Sequence, residues 1–228
     1  MGIELVFLII LIIIFLFSVI VHEVCHGLMA DSLGDSTPRL AGRLSLNPFR
    51  HLDPIGSFLV PLFLIISRIG FVFGWAKPVP VNPYNFRDQK YGMLKVSIAG
   101  ISANIGLALI FGLPVMFLPS PNITLSQIFN GGIGLQGLGY FQRLSIVFAT
   151  ICWVNLLLAI FNLFPLPPFD GYHIFATFFP KFERKVSSIA AIQFISIIGA
   201  IFFLIFIGIP FIIRPLFMLI TGGKIPLS

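Results

Sequence analysis

The chain has 228 residues, of which 57% are hydrophobic and only 10% charged, with a mean hydropathy of +1.04. A soluble domain of this size carries about 25% charged residues, so too little polar surface is left to coat a water-soluble globule, and lipid must solvate most of the chain. The net charge of +6 comes from 14 Lys and Arg scattered between apolar runs, which excludes the clustered basic face of a nucleic-acid binder.

A membrane-spanning helix needs about 20 predominantly apolar residues. Taken in chain order, the segments that qualify are Ile3 to Ala30, Pro54 to Phe73, Gly92 to Leu118, Leu144 to about Phe179, and Ile189 to about Ile220. The first lacks the basic leader and small-residue cleavage site of a signal peptide and reads as a retained helix. The last is interrupted by Pro210 and Arg214-Pro215, which fits one span or a broken pair. The nearly uncharged stretch Pro119 to Phe141 reads as a loop or re-entrant segment. No polar stretch is long enough for a second domain, so residues 1–228 are expected to form one membrane-embedded unit, with a catalytic core over about 3–180 and C-terminal helices over about 189–220. The fold class expected is an all-α polytopic membrane protein of four to six spans. Cys25 and Cys152 both lie in apolar runs and do not suggest a disulfide framework.

Basic residues choose the cytoplasmic side. Arg39, Arg43 and Arg50 lie between the first two segments, Lys77, Arg87 and Lys90 between the second and third, and Lys181, Arg184 and Lys185 before the last. All three loops favour the cytoplasm, with the N-terminus outside. A full crossing by Pro54 to Phe73 would strand one of them outside. A re-entrant segment resolves the conflict, because broken backbone is tolerated at membrane depth where protein covers it.

His22-Glu23-Val24-Cys25-His26 carries the chemistry. On a helix, residues i and i+4 share a face, so two imidazoles can bind one zinc while the glutamate serves as base. Ionisable side chains within an apolar helix mark function by default. Catalytic zinc takes a third protein ligand and keeps an open position. One acid offers itself in Asn162-Leu163-Phe164-Pro165-Leu166-Pro167-Pro168-Phe169-Asp170-Gly171, where prolines interrupt any regular helix. On the residues alone, Asp170 is either that ligand, with Asn162 satisfying freed backbone groups, or a cap on the next helix.

An H-E-x-x-H in an N-terminal membrane helix, followed far downstream by N-x-x-P-x-P-x-x-D-G, resembles the site-2 protease family of intramembrane zinc metalloproteases, in its minimal form without PDZ or CBS domain. His51-Leu52-Asp53-Pro54-Ile55-Gly56, Gly74 to Pro83 and Ala99-Gly100-Ile101-Ser102-Ala103-Asn104 also fit that pattern. The glycine is followed by proline in many relatives; here Ile101 stands instead. The resemblance implies one zinc per chain on His22, His26 and Asp170, water activated by Glu23, and a site reached from the cytoplasm. It further implies a transmembrane protein substrate cut within the bilayer. Asn104 either holds the developing oxyanion, as the resemblance implies, or bonds a neighbouring helix. Asn162 and Gly171 are expected around the ligands. Trp75, Lys77, Pro78, Val79 and Pro80 form an extended segment suited to binding an unwound substrate strand, or a rigid connection. His51 reads as structural, and His173 as either a supporting or a packing residue. The sequence does not fix the oligomeric state.

Overall fold

The computed structural model describes residues 2–53, 59, 63, 77–121, 123–124, 127, 137–181 and 192–226. The expected re-entrant segment Pro54 to Phe73 therefore lies almost wholly outside the described residues, as do Trp75 and most of the Pro119 to Phe141 connection.

The architecture is all-α, and among the described residues no strand occurs. Helix α1 (Gly2–Ser32) leads to a one-turn helix α2 (Thr37–Leu40). Then come α3 (Gly92–Val115), α4 (Tyr140–Asn162), the short α5 (Asp170–Phe178) and α6 (Ile192–Phe203). From α6 the chain continues through a π-helical stretch, Leu204–Ile213, into α7 (Arg214–Thr221). Among the described residues, four helical stretches are long and apolar enough to cross a bilayer: Ile9–Ser32, Gly92–Val115, Tyr140–Asn162 and Ile192–Thr221. At 1.5 Å per residue, 24 residues reach about 36 Å, more than the roughly 30 Å hydrocarbon core. The C-terminal run is continuous over Ile192–Thr221 and long enough for one span, with no break into a pair of helices among these residues. Pro210 falls inside the π-helical stretch and Pro215 just after it, at the start of α7, so the irregular winding coincides with the two residues that lack an N–H.

One sequence-based boundary is corrected. The span expected from Leu144 to Phe179 ends at Asn162, and residues 163–169 form a bend before α5 restarts at Asp170. Pro165, Pro167 and Pro168 cannot supply helical amides, and aromatic packing fixes the bend: Phe169 meets Phe161 at 4.7 Å and Phe164 at 5.8 Å, in edge-to-face geometry. Gly171 allows the return. A Cβ there would lie 2.2 Å from the carbonyl oxygen of Leu163.

Small residues let α3 sit close to its neighbours, as in other membrane bundles. A Cβ on Gly112 would come within 2.7 Å of Cys152 Sγ on α4 and 2.5 Å of Ile220 on α7. The core beside it joins Ala108, Val115, Ala149, Cys152, Trp153 and Phe217, with Trp153 and Phe217 edge-to-face at 5.3 Å. Many phenylalanines instead face outward, including Phe194, Phe202, Phe206 and Phe211. That is the bulk expected of a lipid-facing surface.

Candidate metal centre

His22 and His26 lie one turn apart on α1, and both are buried. Their Nε2 atoms are 2.9 Å apart. The bend before α5 brings Asp170 to them, with Oδ2 at 3.1 Å from His22 Nε2 and 3.2 Å from His26 Nε2. Three donor atoms, separated by up to 148 residues of chain, thus converge on one point. Among the described residues they are the group of His, Cys, Asp or Glu that could hold a metal ion.

The outer ring nitrogens explain why the inner ones are free. His22 Nδ1 lies 2.8 Å from Asn104 Oδ1 on α3, and His26 Nδ1 lies 2.8 Å from the carbonyl oxygen of Val96, also on α3. Both acceptors lack protons, so each Nδ1 donates, and in the neutral imidazole each Nε2 is left with its lone pair. Two lone pairs and a carboxylate oxygen facing one another at about 3 Å repel unless a cation lies among them. Asp170 Oδ2 is itself buried without a hydrogen-bond donor. Four-coordinate zinc binds nitrogen and oxygen at about 2.0–2.2 Å, which sets its donors about 3.4 Å apart. The observed spacing is a few tenths of an ångström short of that, and the donor set of two imidazoles and one carboxylate is a zinc-type set. The residues fit the ion.

Helix α3 reaches this close because residue 100 is glycine. A Cβ there would stand 2.3 Å from His26 Cε1, 2.5 Å from His26 Nε2 and 2.8 Å from His22 Cε1. Gly100 is thus a site residue that motif reading included only as part of a pattern.

Glu23 is half-buried on α1 between the two histidines. Its Oε2 accepts a 2.8 Å hydrogen bond from the backbone N–H of Val79. The segment 77–82 is not helical, as its prolines require. It is tied down at Lys77, whose N–H donates to His51 O at 2.8 Å, at Val79, and at Asn82, whose N–H donates to Asp35 Oδ2 at 2.7 Å. Lys77, Pro78 and Pro80 are exposed, and Val79 alone among the four turns its side chain into the protein.

The other expected residues fall as follows. Asn104 is fully buried; its Oδ1 holds His22, and its Nδ2 has no partner. Asn162 donates to Leu158 O one turn back in its own helix, and so does not satisfy the groups freed by the bend. His51 is buried, with Nε2 2.7 Å from Ser45 O, and its carbonyl anchors Lys77. His173 packs against Tyr172 at 5.2 Å and is not in the donor group. Cys25 is half-buried and also outside it. Two contributors had no side-chain signature in the sequence: the Val79 amide and the Val96 carbonyl.

The family model for Peptidase family M50 matches residues 84–206, a stretch that contains Asn104 and Asp170. Similarity to whole proteins extends further. A Bacillus subtilis protein named "Putative zinc metalloprotease YwhC" is 36% identical over 176 residues, covering 76% of this chain and 71% of that protein. The chain belongs to peptidase family M50, the site-2 proteases. Two relatives named "Putative zinc metalloprotease Rip2" are also similar. The Mycolicibacterium smegmatis protein is 31% identical over 159 residues and that of Mycobacterium tuberculosis 26% over 158; each match covers 69% of this chain and 52% of the relative. The chain thus aligns with about half the length of the Rip2 proteins. No solved structure matches. As an M50 member, the protein is a zinc metalloprotease embedded in the membrane, and intramembrane proteolysis is the general function of its family.

Proposed function

We propose that this chain hydrolyses peptide bonds within or beside transmembrane segments of other membrane proteins, with His22, His26 and Asp170 holding one zinc ion and Glu23 as general base. The observation that carries this is the convergence of the two Nε2 atoms and Asp170 Oδ2 within 3.2 Å, each Nδ1 being engaged elsewhere. When bound, zinc acts as a Lewis acid and lowers the pKa of a water ligand from 15.7 to about 7.

The remaining steps belong to the protein. Oε2 of Glu23 is occupied by the Val79 N–H, so Oε1 is the atom free to take the proton from the attacking water and return it to the leaving amine. His22 is held in register by Asn104 Oδ1, which leaves Asn104 Nδ2 as a donor for the developing oxyanion, a contact worth about 3 kcal/mol in other enzymes. Both uses of Asn104 are compatible, since one amide offers an acceptor and a donor at different ends.

The substrate is a segment unwound into an extended strand. In extended chain, the N–H and C=O of one residue point to the same side and alternate with those of the next. Lys77 and Val79 direct their amides inward. Pro78 and Pro80 therefore turn their carbonyls outward and, lacking N–H groups, present an edge of acceptors only. A substrate strand would donate its amides to Pro78 and Pro80. Lys77 would flank that strand, and the basic loops favour the cytoplasmic face for this end of the molecule, with the N-terminus outside.

The deciding experiment compares wild type with Glu23→Gln in detergent micelles, measuring zinc per chain and cleavage of single-span reporter proteins. Both forms should bind one zinc, and cleavage should fall by about 10²–10⁴ in the variant, the usual worth of a positioned base. Full activity in Glu23→Gln, or zinc-free wild type that cleaves, would refute the reading.

A further inference from the structure

The carboxylate of Asp35 has no exposed surface at all and lies just past the end of α1, where it gathers both local and distant donors. Oδ1 accepts from the Thr37 hydroxyl at 2.5 Å, from the Thr37 N–H at 3.1 Å and from Asn85 Nδ2 at 2.8 Å; Oδ2 accepts from the Asn82 N–H at 2.7 Å. The two Thr37 bonds are the ordinary turn contacts of an aspartate before a short helix. The other two are not local, because they reach across 47 and 50 residues to the far end of the segment whose middle supports Glu23.

We propose that Asp35 is a positioning residue for catalysis: it anchors the 77–82 segment at Asn82, and thereby delivers the Val79 amide to Glu23 Oε2. This rests on Glu23 acting as the base. The lever is short and stiff. Two residues separate Val79 from Asn82, and one of them, Pro80, has its φ fixed by its ring. A shift at Asn82 therefore passes to Val79 with little loss. The other end is already held by Lys77 on His51, and prolines at 78, 80 and 83 leave few amides along the segment to take over the anchoring. Release of Asn82 leaves the segment held only from the Lys77 side and through Glu23 itself, and the carboxylate gains freedom to rotate. Beyond the clasp, the Arg87 N–H bonds to Leu33 O at 2.9 Å independently of Asp35. That bond is an internal control, because loss of the clasp should spare it.

The test is Asp35→Asn, which keeps the size but turns one acceptor into a donor facing either the Asn82 N–H or the Thr37 and Asn85 donors. Amide hydrogen exchange in micelles is read at residues 77–87, alongside zinc content and cleavage of a single-span reporter. The expected result is normal zinc, exchange at Val79 and Asn82 at least about tenfold faster with Arg87 unchanged, and kcat lower by about tenfold to a hundredfold, the scale of an ångström-sized misplacement. If Asp35→Asn does not accumulate, Asn85→Ala removes one of the four bonds and should quicken exchange at the same two amides to a smaller degree. Asp88→Asn, which alters a surface pair with Lys95, should move neither readout. Unchanged protection at Val79 overturns the proposal, as does lost protection with undiminished kcat, or an equal effect from Asp88→Asn. A wild type that cleaves no reporter refutes the proposed function instead, while the exchange data still decide whether Asp35 holds Val79.

Discussion

Gly100→Ala is the most informative single substitution near the metal centre. The added methyl carbon would sit 2.3 Å from His26 Cε1 and 2.5 Å from its Nε2, against an ordinary contact distance of 3.4–4 Å. The ring must retreat by about an ångström, and it is pinned from behind by the Val96 carbonyl at 2.8 Å. Zinc sites tolerate errors of about 0.2 Å in ligand distance, so such a shift is several times what the ion accepts. Overpacking of this kind costs about 1–3 kcal/mol of stability, and zinc affinity should fall by about a hundredfold or more, at or beyond the upper end of the effect of disturbing a supporting partner. The assay is zinc retained against a graded chelator, paired with reporter cleavage. Gly106→Ala in the same helix is the reference, because a Cβ there meets nothing within 4 Å. It should keep full zinc and gain about 0.5–1 kcal/mol from helix propensity. Equal zinc affinity in the two variants would refute the packing argument.

Asn104→Ala should weaken zinc binding by about 10–100-fold through the lost His22 partner, and should lower cleavage further at saturating zinc if Nδ2 also serves the oxyanion; competition with a chromogenic chelator separates the two effects. Gly171→Ala meets only backbone, with Leu163 O at 2.2 Å and Phe164 O at 2.6 Å. It should therefore destabilise by about 3 kcal/mol or more, the upper end for overpacking, seen as a lowered melting temperature in micelles. For Asp35, burial alone would raise the pKa, but the hydrogen bonds from Thr37, Asn82 and Asn85 outweigh it and hold the carboxyl below its ordinary value. The clasp is then fully formed above the unfolded pKa of about 3.9 and is lost only as pH falls through the lower folded value. Protection of the Asn82 amide should persist at pH 5; its disappearance near pH 6 would contradict this.

What could be read from sequence followed the range of the interactions. His22 and His26 form a pair through one helical turn, so five residues sufficed to identify them. Asp170 depended on resemblance, because on its own residues a helix cap was equally good, and in fact it both begins α5 and faces the histidines. Apolar run length located three spans to within a few residues, but it merged α4 and α5, since the bend at 163–169 is nearly as apolar as the helices it separates. The small residues of α3 announced close packing without saying that Gly100 makes room for imidazoles. Least legible were the contacts made by backbone atoms. The Val79 amide and Val96 carbonyl carry no identity in a sequence, and Asp35 looked like one more polar loop residue until its distant partners were placed.

The separation of the donor group along the chain also governs when the enzyme comes into being. A ribosome that has delivered α1 has already placed His22, Glu23 and His26 in the bilayer, and α3 soon follows with Asn104, Gly100 and Val96. Asp170 arrives only after α4 has been inserted and the bend behind it has closed. Through most of synthesis the growing chain thus displays two of the three donors. On the proposed ligand set, a product truncated before residue 170 would carry the motif without the proteolytic capacity, so membrane insertion itself would delay activity until the bundle is in place.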